Sequence, residues 1–96
     1  MGHKPRYRPQ QLPAKLRQIR EALGLSQSHL ARLLNVGVNA PRVCEYEKGT
    51  REPSLITLLA YSYLIGICAN DLIDDAVYLP AQIRIKQQRK RMTLRS

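Results

Sequence analysis

The chain has no tryptophan and no phenylalanine, and tyrosine is its only aromatic residue. A core must therefore be filled by Leu, Ile, Val and Ala, and the abundance of Leu and Ala favours helix. No window alternates apolar and polar residues in the manner of a strand. These absences predict an all-α domain. No segment approaches the ~18 apolar residues of a membrane span. The N-terminus also lacks an apolar signal core, so the expected location is cytoplasmic, with no membrane partner. Cysteine is scarce: Cys44 and Cys68 stand far apart, with no CxxC and no histidine at metal-ligand spacing. They are expected to be two reduced thiols, at least one of them buried, and no metal site is read from them.

Catalytic patterns are missing as well. There is no plausibly spaced Ser-His-Asp set and no phosphate-cradling Gly-rich loop. The adjacent Asp74 and Asp75 read as a solvated helix end rather than a carboxylate pair. No enzyme, cofactor or small-molecule ligand is expected.

Acidic residues are few and unevenly placed. Sixteen Lys and Arg face seven Asp and Glu, for a formal net charge of +9. Residues 1–20 hold six basic residues and no acid, and residues 81–96 hold six more and no acid. Residues 21–80 hold four basic and all seven acidic residues, a net of −3. A basic chain of this kind points to a polyanionic partner, nucleic acid before membrane. The composition suggests a basic N-terminal arm over 1–11, a domain over 12–80 and a basic C-terminal tail over 81–96. Charged ends that only maintain solubility are the plainer reading.

Within the domain, punctuation residues divide the chain. A first helix is expected from about Pro13 to Leu23, with Leu16, Ile19 and Leu23 on one stripe and Gly24 as its stop. Ser26 is placed to cap a second helix, Gln27 to about Leu34, with Leu30, Ala31, Leu33 and Leu34 as its apolar positions. The turn formers in Asn35–Asn39 interrupt the pattern. Asn39 can cap a third helix that tolerates Pro41 in its first turn and runs to about Lys48, with Val43 and Tyr46 facing inward. Ser54 caps a strongly apolar fourth helix, Leu55 to Ile65, carrying Leu58, Leu59 and Leu64 and expected to form the centre of the core. A short fifth helix follows over Ala69 to Ile73, and Pro80 marks the end of the domain.

The ordered segments LRQIREALGLSQ, LARLL, VCEYEKGTREPS, LLAY and GICANDLI resemble the Cro/CI-like (XRE) family of helix-turn-helix regulators. The likeness runs over about Leu16 to Asp75. It implies a five-helix Cro/CI-type domain and a bacterial transcriptional regulator, nucleoid-associated, that binds specific sequences of double-stranded DNA. The third helix, about 39–48, would enter the major groove while the second crosses the backbone. Base-reading candidates on its outer face are Asn39, Ala40, Arg42 and Glu45, with Arg42 suited to bidentate contact with guanine. Glu45 would accept from cytosine, hold Arg42 in place, or form only a surface ion pair with it. Gln27, Lys48, Thr50 and Arg51 match positions that meet phosphate in the family. Glu47 matches an acidic structural position, paired with Arg51 or Arg20, and Tyr46 replaces a core residue. The turn before the third helix is two residues longer than the commonest pattern, and Pro41 stands where many members carry a small polar residue. Pairing into a homodimer on palindromic sites is a further implication. The reading from another class is a protein-interaction module, an antitoxin or bridging co-activator, with the same fold.

Overall fold

The computed structural model describes residues 9–85 of the chain. Residues 1–8 of the arm expected over 1–11, with His3, and residues 86–96 of the tail expected over 81–96 fall outside the described residues. Regular structure among the described residues is entirely helical: α1 (Leu12–Leu23), α2 (Gln27–Leu34), α3 (Ala40–Lys48), α4 (Leu55–Ile65) and α5 (Ala69–Ile73).

Short polar side chains start three of these helices. The Ser26 hydroxyl accepts from the His29 amide at 3.0 Å, the Asn39 Oδ1 from the Arg42 amide at 3.1 Å and the Ser54 hydroxyl from the Thr57 amide at 3.2 Å. Each bond satisfies an amide that has no intrahelical partner. Helix α1 begins differently, because Gln11 at its start supplies no side-chain cap. The Asp75 carboxylate, from the far end of the domain, accepts from the amides of Gln10 at 3.0 Å and Gln11 at 2.8 Å. Asp75 is therefore a structural cap, not the solvated helix end expected of it. Its neighbour Asp74 accepts locally from the Ala76 amide at 2.9 Å.

Helix ends are equally specific. Gly49 adopts φ +78° to close α3, and a Cβ there would lie 3.3 Å from Cγ of Pro13 in α1. Glycine thus serves both the left-handed turn and the close approach of two helices. Asn35 takes the same left-handed conformation at the end of α2, with φ 54°.

The core joins all five helices. Leu16, Ile19, Leu30, Val43, Tyr61 and Leu72 are fully buried, and Leu12, Leu34, Tyr46, Leu58 and Ile65 surround them. Beyond α5 the chain continues to pack: Leu79 and Ile83 join the same cluster, so buried contacts pass Pro80. Helix α4 contributes a narrower face than its composition suggests. Thr57, Leu58, Tyr61, Ser62 and Ile65 are its buried residues. Leu55, expected in the core, is 65% exposed and Ile56 is 64% exposed. Leu33 of α2 is also exposed. An apolar helix has residues on every side, but a small bundle has neighbours on only one, so composition alone does not choose the buried face. The cysteines are both free, as expected, but neither is buried: Cys44 is half-buried and Cys68 is exposed.

One buried charge links α1 to α5. Lys15 is 4% exposed, and its Nζ donates to the carbonyls of Asp71 and Asp74 at 2.7 Å each. An ammonium group is well suited to the unpaired carbonyls at a helix end. Lys15→Met keeps the apolar stem and removes the donor. It is expected to lower unfolding free energy by about 1–3 kcal/mol, because the Asp71 carbonyl loses its donor and the Asp74 carbonyl keeps only the Val77 amide. Urea unfolding measures this; an unchanged midpoint would mean that water replaces the ammonium without loss.

Candidate nucleic-acid interface

Helix α3 is amphipathic by placement. Val43 is 0% exposed and Tyr46 3%, and both point into the core. Arg42 and Glu45, one residue behind each, therefore fall on the outer face. Arg42 Nε lies 3.3 Å from Glu45 Oε1, and Arg51 Nε, from the loop after the helix, lies 2.9 Å from the same oxygen. One carboxylate thus gathers two guanidinium groups at the surface. All three side chains are roughly half exposed, so each pair contributes at most about 1 kcal/mol.

The remaining sequence candidates divide by what already engages them. Asn39 is exposed, but its Oδ1 is committed to capping α3. Ala40 is half-buried at the first position of the helix. Pro41 follows within the first turn, where a missing amide hydrogen leaves no bond unmade. Thr50 is tied back to the end of α3: its amide and its hydroxyl both donate to the Glu45 carbonyl, at 3.0 and 3.3 Å. Lys48 is exposed in the last turn of α3.

Gln27 belongs to a different cluster. Its Nε2 donates to Glu47 Oε1 at 3.4 Å, drawing the first residue of α2 toward the end of α3. Glu47 is held mainly by Arg20 of α1, whose Nε and terminal nitrogen reach its two oxygens at 2.8 and 3.1 Å. The third Arg20 nitrogen donates to the Leu25 carbonyl at 3.0 Å, in the link between α1 and α2. Of the two partners considered for Glu47, the structure selects Arg20; Arg51 goes to Glu45 instead. The Glu47 side chain is only 5% exposed and that of Arg20 18%. Hydrogen bonding to Glu47 raises the Arg20 pKa above its ordinary value. Beneath this cluster the Tyr61 hydroxyl is buried with no hydrogen-bond partner among the described residues, and burial pushes its phenol above the usual tyrosine range.

The basic residues of α1 are mostly occupied. Lys15 serves α5, Arg20 serves Glu47, and Arg17 pairs with Glu21 at 2.8 Å. Three of the six cations counted in residues 1–20 therefore have partners inside the domain. No side-chain cluster among the described residues could hold a metal ion, and no helix there is long and apolar enough to cross a membrane.

A family model described as helix-turn-helix matches residues 16–67, just over half of the chain. No curated protein and no solved structure matches it.

The two acidic residues of α3 should respond differently to loss of their partners. Arg20→Met strands a nearly buried carboxylate and is expected to cost about 2–3 kcal/mol, somewhat below the penalty for a wholly buried pair. Adding Glu47→Leu should recover part of that loss. Arg51→Met breaks only an exposed pair and is expected to change stability by less than about 0.5 kcal/mol. Thermal or urea unfolding of the three variants makes the comparison. Equal losses for Arg20→Met and Arg51→Met would contradict it.

Proposed function

We propose, from the premise that the chain belongs to the Cro/CI-type helix-turn-helix family, a DNA-binding protein, that it is a sequence-specific transcriptional regulator acting in the bacterial cytoplasm at the nucleoid. In this reading α3 occupies the major groove, with Arg42 directed at base edges. The observation that carries the reading is the pair of guanidinium groups, Arg42 and Arg51, gathered by Glu45 on the exposed face of a helix of the right width and capping. A guanidinium offers two parallel donors to guanine, and a second one close by can meet the adjoining phosphate. Glu45 then has two roles in sequence: it orients both arginines in free protein, and it accepts from a cytosine amine or keeps its hold on Arg42 once Arg51 turns to phosphate.

Lys48 and the segment at Thr50 would follow the phosphate backbone, and Asn39 and Ala40 would lie nearest the bases at the start of α3. Gln27 would bring the N-terminus of α2 to a phosphate on the other side of the groove. Two copies would set two such helices on the half-sites of a palindrome. The basic ends would add affinity without base preference.

A second reading, a protein-interaction module such as an antitoxin or bridging co-activator, draws on one observation: α4 presents exposed Leu55, Ile56 and Tyr63. That face is remote in chemistry from the polar face of α3, and selection of DNA sequences separates the two readings.

Selection from random duplexes tests base reading. Arg42→Ala is expected to weaken the preferred site by about 1–3 kcal/mol and to relax preference at one or two base pairs. Arg51→Ala should weaken all sequences alike and leave the preferred site unchanged. An Arg42→Ala variant that selects the same site with undiminished preference rules out its role, and a wild type that enriches no sequence favours the protein-interaction reading.

Salt dependence tests the phosphate contribution. Each phosphate neutralised adds about −0.9 to the slope of log affinity against log salt. Because Lys15 is buried and its ammonium is engaged within the domain, Lys15→Met should leave that slope unchanged. Deleting residues 86–96, which hold five Lys and Arg, should flatten it while keeping the preferred site. A slope insensitive to the deletion would remove the tail from the phosphate contacts.

A further inference from the structure

The start of α1 is held from outside its own helix. The amides of Gln10 and Gln11 donate to the Asp75 carboxylate, one to each oxygen, at 3.0 and 2.8 Å. Asp75 stands beyond α5 and beyond the residues that the family model matches. One turn into α1, the buried Lys15 ammonium binds the Asp71 and Asp74 carbonyls. The same region lies against the end of α3. A cavity of about 260 Å³ is lined by Pro9 and Gln10, on the approach to α1, and by Gly49, Arg51 and Glu52, at the end of α3 and in the loop after it. Pro13 of the first turn packs against Gly49.

We propose that Asp75 is a positioning residue for DNA binding: by fixing the root of residues 1–8 beside Arg51, it directs Lys4, Arg6 and Arg8 at phosphates adjoining the one that Arg51 would meet. The inference rests on the DNA-binding reading above, and it gives an acidic residue a part in holding a polyanion.

Covalent continuity sets the origin of that segment. Residue 8 is joined to Pro9, so the sequence MGHKPRYR, basic and without an acid, starts from the cavity that Arg51 also lines. Eight residues span at most about 27 Å. Successive phosphates of one strand advance about 3.4 Å along the duplex, so several lie within reach of such a segment. Two amides on one carboxylate fix a direction as well as a point, because each oxygen takes one donor. Pro9 adds a φ held by its ring. Without the carboxylate, the root is free back to Lys15, the next residue bonded to the far end of the domain. The tether then grows from eight residues to about fourteen, and an effective concentration that falls as roughly the −3/2 power of length drops about twofold. Charge alone predicts the opposite: removing an acid from a surface that approaches a polyanion strengthens binding. Positioning and simple repulsion therefore differ in sign.

Fluorescence anisotropy of a labelled mixed-sequence duplex, titrated with the full chain at several salt concentrations, decides the matter. Asp75→Ala is expected to weaken binding by about twofold or more and to flatten its salt dependence, while far-UV circular dichroism stays that of the wild type. Replacing Lys4, Arg6 and Arg8 together by Gln should lower the magnitude of the salt slope by up to about 2.7. In that triple variant, adding Asp75→Ala should no longer weaken binding. This non-additivity separates positioning from a general loss of fold, which weakens both chains by the same factor. Should Asp75→Ala lose helicity, Asp75→Asn, which keeps one accepting oxygen, is judged by the same comparison. Equal weakening in the two chains overturns the proposal, and so does binding that is unchanged or tighter when Asp75 alone is replaced. A wild type that binds no duplex overturns the DNA-binding reading and the proposal together, whereas every other outcome leaves that reading standing.

Discussion

The arrangement of the first three helices depends on one carboxylate. Glu47 binds both ends of the Arg20 fork and also receives the Gln27 amide. Arg20 at the same time bonds the Leu25 carbonyl. The end of α1, the link to α2, the start of α2 and the last turn of α3 therefore meet around a single nearly buried ion pair. Burying such a pair is costly in itself and adds little net stability. What it does fix is geometry: Arg20 can satisfy Glu47 and Leu25 together in only one relative placement of the helices. Apolar packing of Leu16, Ile19, Leu30 and Val43 would tolerate small rotations of α3 that this bidentate bond does not.

Two positions earlier on the same helix, Glu45 meets arginines under opposite conditions. It is half exposed, and so are Arg42 and Arg51. Water and salt screen these contacts, so either arginine can leave Glu45 at small cost. The spacing of two residues puts the acids on different sides of α3. One acid locks the helix in place and the other holds surface cations loosely enough to be handed to a ligand. Identical chemical groups thus acquire distinct roles from burial, a difference that the sequence signalled only through the family's motif positions.

That contrast marks how far the sequence could be read. Helix boundaries were legible because Ser26, Asn39, Ser54, Gly24, Gly49 and Gly66 act within a turn of their own positions, and local chemistry determines them. The inward residues of α3 were legible because only Val43 and Tyr46 are large and suitably spaced. Helix α4 was not, since an almost uniformly apolar stretch has no period to reveal which side is buried; Leu55 was expected inside and lies outside. Contacts between distant segments were the least accessible. Asp75 caps α1 from 64 and 65 positions away, and Lys15 serves carbonyls 56 and 59 positions away. The candidate base and phosphate residues were found through the family's motif positions. Their division into a cluster around Glu45 and another around Glu47 required three dimensions.

The charge distribution acquires a different meaning once these contacts are known. Counted along the chain, residues 1–20 form one basic block. In the structure that block is divided at α1, where Lys15, Arg17 and Arg20 have partners within the domain. The domain surface is divided in the same way. Its outer α3 face carries Arg42, Glu45 and Lys48, groups that exchange partners readily in water, whereas its α4 face carries Leu55, Ile56 and Tyr63, groups that gain only by leaving water. Desolvating a charged face without a complementary partner is penalised, and an apolar face has little to offer a phosphate. The two faces therefore differ in the kind of surface each could meet, and the chemistry of one leaves that of the other intact.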